Sequence, residues 1–140
     1  MFLKFLNKLI LIFIILTSCN NEREKTSVIF SNYLFETFSI KLPEDSAFFV
    51  LIPAGSCAGC YQYLIKIIEH LYFKHKENFW IIVDKSSYDY STFKTLSPEI
   101  KVLIDNKNHL SRLNLNIQNT TLIKTFQQKI IDKRLLLPDE

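Results

Sequence analysis

Glycine, proline, histidine and cysteine are all scarce in this chain of 140 residues: two glycines, four prolines, three histidines and three cysteines. The histidines, His70, His75 and His109, make a poor ligand set. Zinc takes four protein ligands, or three and a water. His70 and His75 are five apart and do not share a helix face, and a lone loop histidine such as His109 is ordinarily a surface residue. Tyr61 follows Cys60, so the haem-attachment pattern CxxCH is absent. No cluster of Lys and Arg, and no basic groove with interleaved aromatics, argues for nucleic acid. No internal repeat or low-complexity block is present. No cofactor is implied by any of this.

The hydrophobic run 9–16, LILIFIIL, is too short to span a bilayer, which takes about 20 apolar residues. With Lys4 and Lys8 before it, it has the length and flanks of a signal-peptide core. The run ends Leu16-Thr17-Ser18-Cys19, which resembles the bacterial lipobox, where small residues precede a cysteine that is lipidated and becomes the new N-terminus. A plain signal peptide or an uncleaved anchor with an incidental cysteine is the alternative. The expected organisation is a signal segment at 1–18, a polar tether at 19–27 after lipidated Cys19, and one domain at 28–140. The protein would then be held by lipid chains at an extracytoplasmic face of the bacterial cell envelope. Without Lys4 and Lys8, 15 basic residues face 14 acidic ones, so most of the formal charge of +3 belongs to the discarded segment.

With Cys19 taken up by lipid, Cys57 and Cys60 are the remaining thiols. In an oxidising compartment such a pair is either bonded internally or cycling with a partner. They lie in IPAGSCAGCY (52–61), which also holds both glycines. AFFVLIP (47–53) before them is a continuous apolar run of the kind a strand buried on both faces shows. After Ser56, a possible helix cap, Tyr61, Leu64, Ile65, Ile68, Leu71 and Tyr72 recur with helical spacing, predicting an amphipathic helix over 57–76. Residues 78–84 and 100–108 predict two further strands, 86–96 a short helix, and 109–117 an irregular segment or short helix. The two runs 120–126 and 129–135, around Gln127-Gln128, predict an antiparallel hairpin. The mixed segment 28–43 is expected to supply one or two outer strands. Strand, helix, strand, helix, strand and hairpin make an α/β architecture with a mixed sheet covered by helices on both faces.

At a helix start, unpaired backbone N–H groups and the helix dipole favour a thiolate. Cys57 is therefore the candidate nucleophile and Cys60, one turn on, the candidate resolving thiol. Other readings of the pair are an inert local disulfide, which would restrain little chain entropy over so short a loop, half of a metal site, or a peroxidase centre with Cys60 reactive and Arg112 as supporting cation. Lys66 and Glu69 read as a solvated helix face, Trp80 as core, and Asp84 as a turn cap sooner than a proton acceptor.

The buried strand, the P-x-x-x-C-x-x-C of residues 53–60, the amphipathic helix and the next strand resemble the thioredoxin superfamily. The segment VLIDNKNHLSRLNLNIQNTTLIKTFQQKI (102–130) resembles TlpA-like and redoxin-type members, with Asp105, Thr121 and Lys129-Ile130 at matching positions. The resemblance implies a three-layer thioredoxin-like sandwich and thiol–disulfide exchange, usually reductive, with protein thiols or disulfides and a redox partner. Three departures stand out. Asn119-Thr120, with Thr121, takes the place of the loop whose cis-proline docks substrate. Gln128 stands where a turn glycine is usual. The usual last helix is expected to be missing or very short, leaving part of one sheet face bare or covered by the N-terminal segment or a partner. A non-catalytic envelope module that keeps the fold and a static disulfide is the alternative function.

Overall fold

The computed structural model describes residues 22–55, 61–75, 78–87, 92–93, 96, 98–113, 115 and 117–136. The signal segment, Cys19, Cys57 and Cys60 lie outside these. A helix, α1 (22–38), leads into strand β1 (Ala47–Ile52), helix α2 (Tyr61–His75), β2 (Phe79–Asp84), β3 (Lys101–Asp105), a 3-10 turn at Leu110–Arg112, and the strands β4 (Thr121–Phe126) and β5 (Lys129–Leu135). No described helix is long and apolar enough to cross a membrane.

All six residues of β1 are buried, as its unbroken apolar run demands. β1 is the middle of a five-stranded sheet of order β3-β2-β1-β4-β5. It runs parallel to β2 and antiparallel to β4; β3 lies parallel to β2, and β5 pairs antiparallel with β4. Side chains alternate across the sheet, so β1 feeds two cores. Phe48, Val50 and Ile52 meet Leu64, Ile68, Leu71 and Tyr72 of α2 on one face. Ala47, Phe49 and Leu51 meet Phe30, Tyr33 and Leu34 of α1 on the other. Each fully buried side chain of this size contributes roughly 1.5–3 kcal/mol of apolar burial. The three layers, the parallel β1–α2–β2 unit and the antiparallel hairpin beyond β1 make the fold thioredoxin-like, as the resemblance implies.

One expectation is corrected. Residues 28–43 do not form outer strands; most of them belong to α1, which also takes in residues 22–27 of the expected tether. The buried positions Ser27, Phe30, Tyr33 and Leu34 are spaced three and four apart, which is a helix period. Val28 and Phe35, 54% and 55% exposed, sit on the opposite face and blur that period in the sequence. Phe30 makes an edge-to-face contact with Phe49, centroids 5.2 Å apart, which fixes α1 on the sheet. The helix stops at Ser39, whose φ of 59° lies in the left-handed region, with Ile40 N–H donating to Leu34 O at 3.3 Å.

α1 therefore covers the face opposite α2. Beyond α2, over β4 and β5, the other face carries no second helix among the described residues. There a groove opens between α2 and β5, lined by Tyr63, Lys66, His70, Lys74, Arg134 and Leu136.

Candidate functional site

The C-terminal ends of β1, β2 and β3 and the start of β4 meet at one edge of the sheet, where open α/β sheets gather their sites. β1 hands over to Pro53 and then to a turn at Ala54-Gly55, where Gly55 has φ 79°. That angle suits glycine and strains any residue with a Cβ. The next described residue is Tyr61, first of α2. The segment carrying Cys57 and Cys60 thus joins the end of the central strand to α2, while the two cysteines themselves lie outside the described residues.

The strand end beside that segment is held from β2. Ser87, 4% exposed, donates its hydroxyl to Pro53 O at 3.1 Å. Its own N–H donates to Asp84 O at 2.9 Å, so the turn after β2 locks onto the exit of β1. From the other side, Thr121 pairs in register with Leu51. Thr121 is buried and its hydroxyl donates to Asn119 O at 2.8 Å, while Leu136 N–H donates to Thr120 O at 2.9 Å. The Asn119–Thr121 loop accordingly stands next to the end of β1. Among the described residues there is no cis peptide bond.

Asp84 and Asp105 end β2 and β3 and have no exposed surface. A buried carboxylate persists only when hydrogen-bonded. Asp84 Oδ1 accepts from Ser86 N–H at 3.0 Å and Ser86 Oγ at 2.7 Å, and Oδ2 accepts from Ser111 Oγ at 2.6 Å. Asp105 Oδ1 accepts from Lys107 N–H at 3.1 Å; Oδ2 accepts from Leu110 N–H at 2.6 Å and from the Tyr33 hydroxyl at 3.2 Å. Asp84 is therefore a turn cap, with both of its oxygens engaged. Burial first, then the Asp105 charge and hydrogen bond, then the Asp84 charge, hold the Tyr33 hydroxyl protonated far above the ordinary phenol range.

Ser87, Ser111 and Tyr33 were not singled out by sequence. The signal for the serines was present: two apolar runs, WIIVD and VLID, each end in aspartate followed by polar residues, the pattern of side-chain-capped turns. Tyr33 was hidden because its segment was read as strand. His109 is half-buried with Nδ1 3.4 Å from Thr37 Oγ1, in a cleft also lined by Arg112. His75 stacks on Phe48 at 4.1 Å, and His70 is exposed on α2. Among the described residues no three His, Cys, Asp or Glu side chains gather as a ligand set.

No family model and no curated protein matches the chain. Among solved structures it is similar to a solution structure described as that of a candidate thioredoxin from Neisseria meningitidis, at 15% identity and a TM-score of 0.48, over 69% of this chain and 67% of that one. Strand order and direction by themselves make the fold thioredoxin-like.

Proposed function

We propose that this chain is a lipid-anchored, extracytoplasmic thiol–disulfide exchange protein, working as a reductase through Cys57 and Cys60. The observation that carries the reading is the junction between β1 and α2: the sequence Cys-Ala-Gly-Cys connects the exit of a buried central strand to an amphipathic helix. A thiolate in that position is favoured by the free N–H groups and dipole of a helix start. The Cys57 thiolate attacks one sulfur of a substrate disulfide, forms a mixed disulfide and releases the first substrate thiolate. The Cys60 thiolate then attacks Cys57 Sγ, releases the second substrate thiol and leaves the Cys57–Cys60 disulfide. Two electrons pass to the substrate, and a partner dithiol returns the pair to the reduced state. The Pro53 clip from Ser87 and the Asn119–Thr121 loop would steady the segment from both sides.

The test is an equilibrium titration of the mature domain in defined redox buffers, read by thiol labelling. A moderate potential, and a mixed disulfide that accumulates in Cys60→Ala, is the expected result. A non-catalytic envelope module is the second reading, favoured by Asn119-Thr120 in place of the family's proline. It is the one left if the potential lies far below that of glutathione and Cys60→Ala captures nothing.

A further inference from the structure

The groove between α2 and β5 is lined by basic side chains, of which Lys66, Lys74 and Arg134 are cations. Lys66, His70 and Lys74 repeat every four residues and so form one row along α2, and Arg134 of β5 faces them. Burial first, then Lys74, Lys124 of β4 and Arg134, disfavour a proton on His75, so these three cations stand near one another. The acidic neighbours are Glu69 on α2 and Asp132, the register partner of Lys124, yet no ion pair forms among these described residues. Two aromatics on α2, Tyr63 at 41% and Phe73 at 65% exposure, accompany the row. Cations with exposed aromatics match the chemistry of a phospholipid headgroup layer.

The same strand receives the start of the chain. β5 is one of the two edge strands of the sheet, and the first turns of α1 lie against its beginning: Ile130 N–H donates to Ser27 Oγ at 2.9 Å, and Arg23, Glu24 and Lys129 line one cleft. α1 is described from residue 22, three residues after Cys19. Cys19 precedes by eight residues the Ser27 that bonds β5, and the cation row borders the other side of that strand.

We propose that the β5 edge rests on an anionic phospholipid surface, with Lys66, Lys74 and Arg134 directed at headgroup phosphates beside the lipid anchor. Lipid chains on Cys19 would hold the domain at the surface, and basic residues beside them would decide which face it turns to the headgroups. This rests on the lipid-anchor part of the function proposed above. Docking on β5 leaves the β3 edge, with Lys101 and Lys107, facing away from the membrane.

The experiment is vesicle co-sedimentation with the chain from residue 20 onward, which lacks Cys19. Both cores are built from residues 29–136, so this chain retains the fold. It is expected to bind vesicles containing equal parts phosphatidylcholine and phosphatidylglycerol, to ignore pure phosphatidylcholine, and to dissociate in high salt. Each neutralised cation should weaken binding about fivefold, so Lys66→Gln/Lys74→Gln/Arg134→Gln should lose on the order of a hundredfold. The control Lys85→Gln/Lys101→Gln/Lys107→Gln, at the far edge, should bind as the unaltered chain does. Equal losses in both triple variants, equal binding to neutral vesicles, or no binding at all would overturn the proposal. So would displacement by inorganic phosphate at matched ionic strength, which marks a site for a discrete anion. Because the assay omits Cys19, its failure leaves the anchor standing. Absence of lipid on Cys19 in cells, read by fatty-acid labelling, would remove the anchor while vesicle binding by the groove remained.

Discussion

Asp84 and Asp105 are register partners at the ends of β2 and β3, side by side and without exposed surface. Two carboxylates in that relation repel unless each is separately satisfied. The chain does this by sending each to a different set of donors: Asp84 to the serines at 86 and 111, Asp105 to backbone N–H groups of the following turn and to Tyr33 of α1. The pair ties three things together: the turn after β2 that clips Pro53, the 3-10 turn after β3, and the helix that covers the sheet. Positioning of the β1 exit therefore depends on a polar network that lies under it.

That network makes a first prediction. Asp105→Ala should leave the buried Tyr33 hydroxyl and Leu110 N–H without an acceptor and cost about 3 kcal/mol. Tyr33→Phe removes only the donor and should cost about 1 kcal/mol. The double variant should cost less than the two together, since both lose the same bond. Urea unfolding of the four proteins checks this; strict additivity would mean the contact contributes nothing.

Ser87 yields the prediction nearest to function. Ser87→Ala leaves the Pro53 carbonyl without its side-chain donor, at a stability cost of about 1 kcal/mol. If the clip holds the start of the cysteine segment, the labelling rate of Cys57 in the reduced protein should change more than global unfolding accounts for. Ser86→Ala, which loses a bond to Asp84 but none to Pro53, is the comparison. Equal labelling rates in the two variants would restrict Ser87 to a structural role.

Much of this architecture was legible in the sequence because burial on both faces writes an unbroken apolar run. β1 and β2 fall within a residue of their expected bounds for that reason, whereas the β4–β5 hairpin, whose second strand is mostly exposed, was legible from the two runs on either side of Gln127-Gln128. α1 was not legible. Its inward row of Ser27, Phe30, Tyr33 and Leu34 includes a polar member, and its outward row carries Val28 and Phe35, so apolar residues occur at nearly every phase. Tertiary contacts select the helix: Phe30 on Phe49, Tyr33 on Asp105 and Ser27 on Ile130. The cysteine motif was readable as chemistry. The supports beside it were less so: a serine bonding across 34 residues to Pro53 leaves no periodic trace. The groove on the α2 face was foreseen only as bare sheet; its cations looked like an ordinary solvated helix face until Arg134 was seen to meet them.

His75 gives a pH dependence. Burial, followed by Lys74, Lys124 and Arg134, lowers its pKa from the ordinary 6.5, while its ring stacks on Phe48. The unfolded chain then binds a proton more readily than the native one, so stability is lost as pH falls through about 6.5 and continues to fall toward the native value. His75→Phe keeps an aromatic ring for the stack and removes the titration. Urea midpoints measured at about pH 7 and about pH 5 should differ less in the variant than in the parent. An unchanged difference would assign the acid sensitivity to other groups.

The hairpin turn carries strain that a single change should relieve. Gln127 and Gln128 have φ of 48° and 60°, both in the left-handed region that two-residue hairpin turns require and that asparagine and glycine ordinarily fill. Each non-glycine residue held there costs roughly 1–2 kcal/mol. The turn persists because Gln127 N–H donates to Glu44 O at 2.8 Å and Gln128 N–H to Pro43 O at 3.3 Å, joining the hairpin to the segment before β1. Gln128→Gly keeps both N–H groups and removes the Cβ. It should therefore stabilise the fold by about 1 kcal/mol and raise Tm by several degrees. Gln128→Pro deletes the donor and demands a negative φ, so it should destabilise by more than glycine gains. If glycine lowered Tm instead, entropy released in the unfolded chain would outweigh the relief, and the turn would be held by its anchoring bonds with little strain to recover.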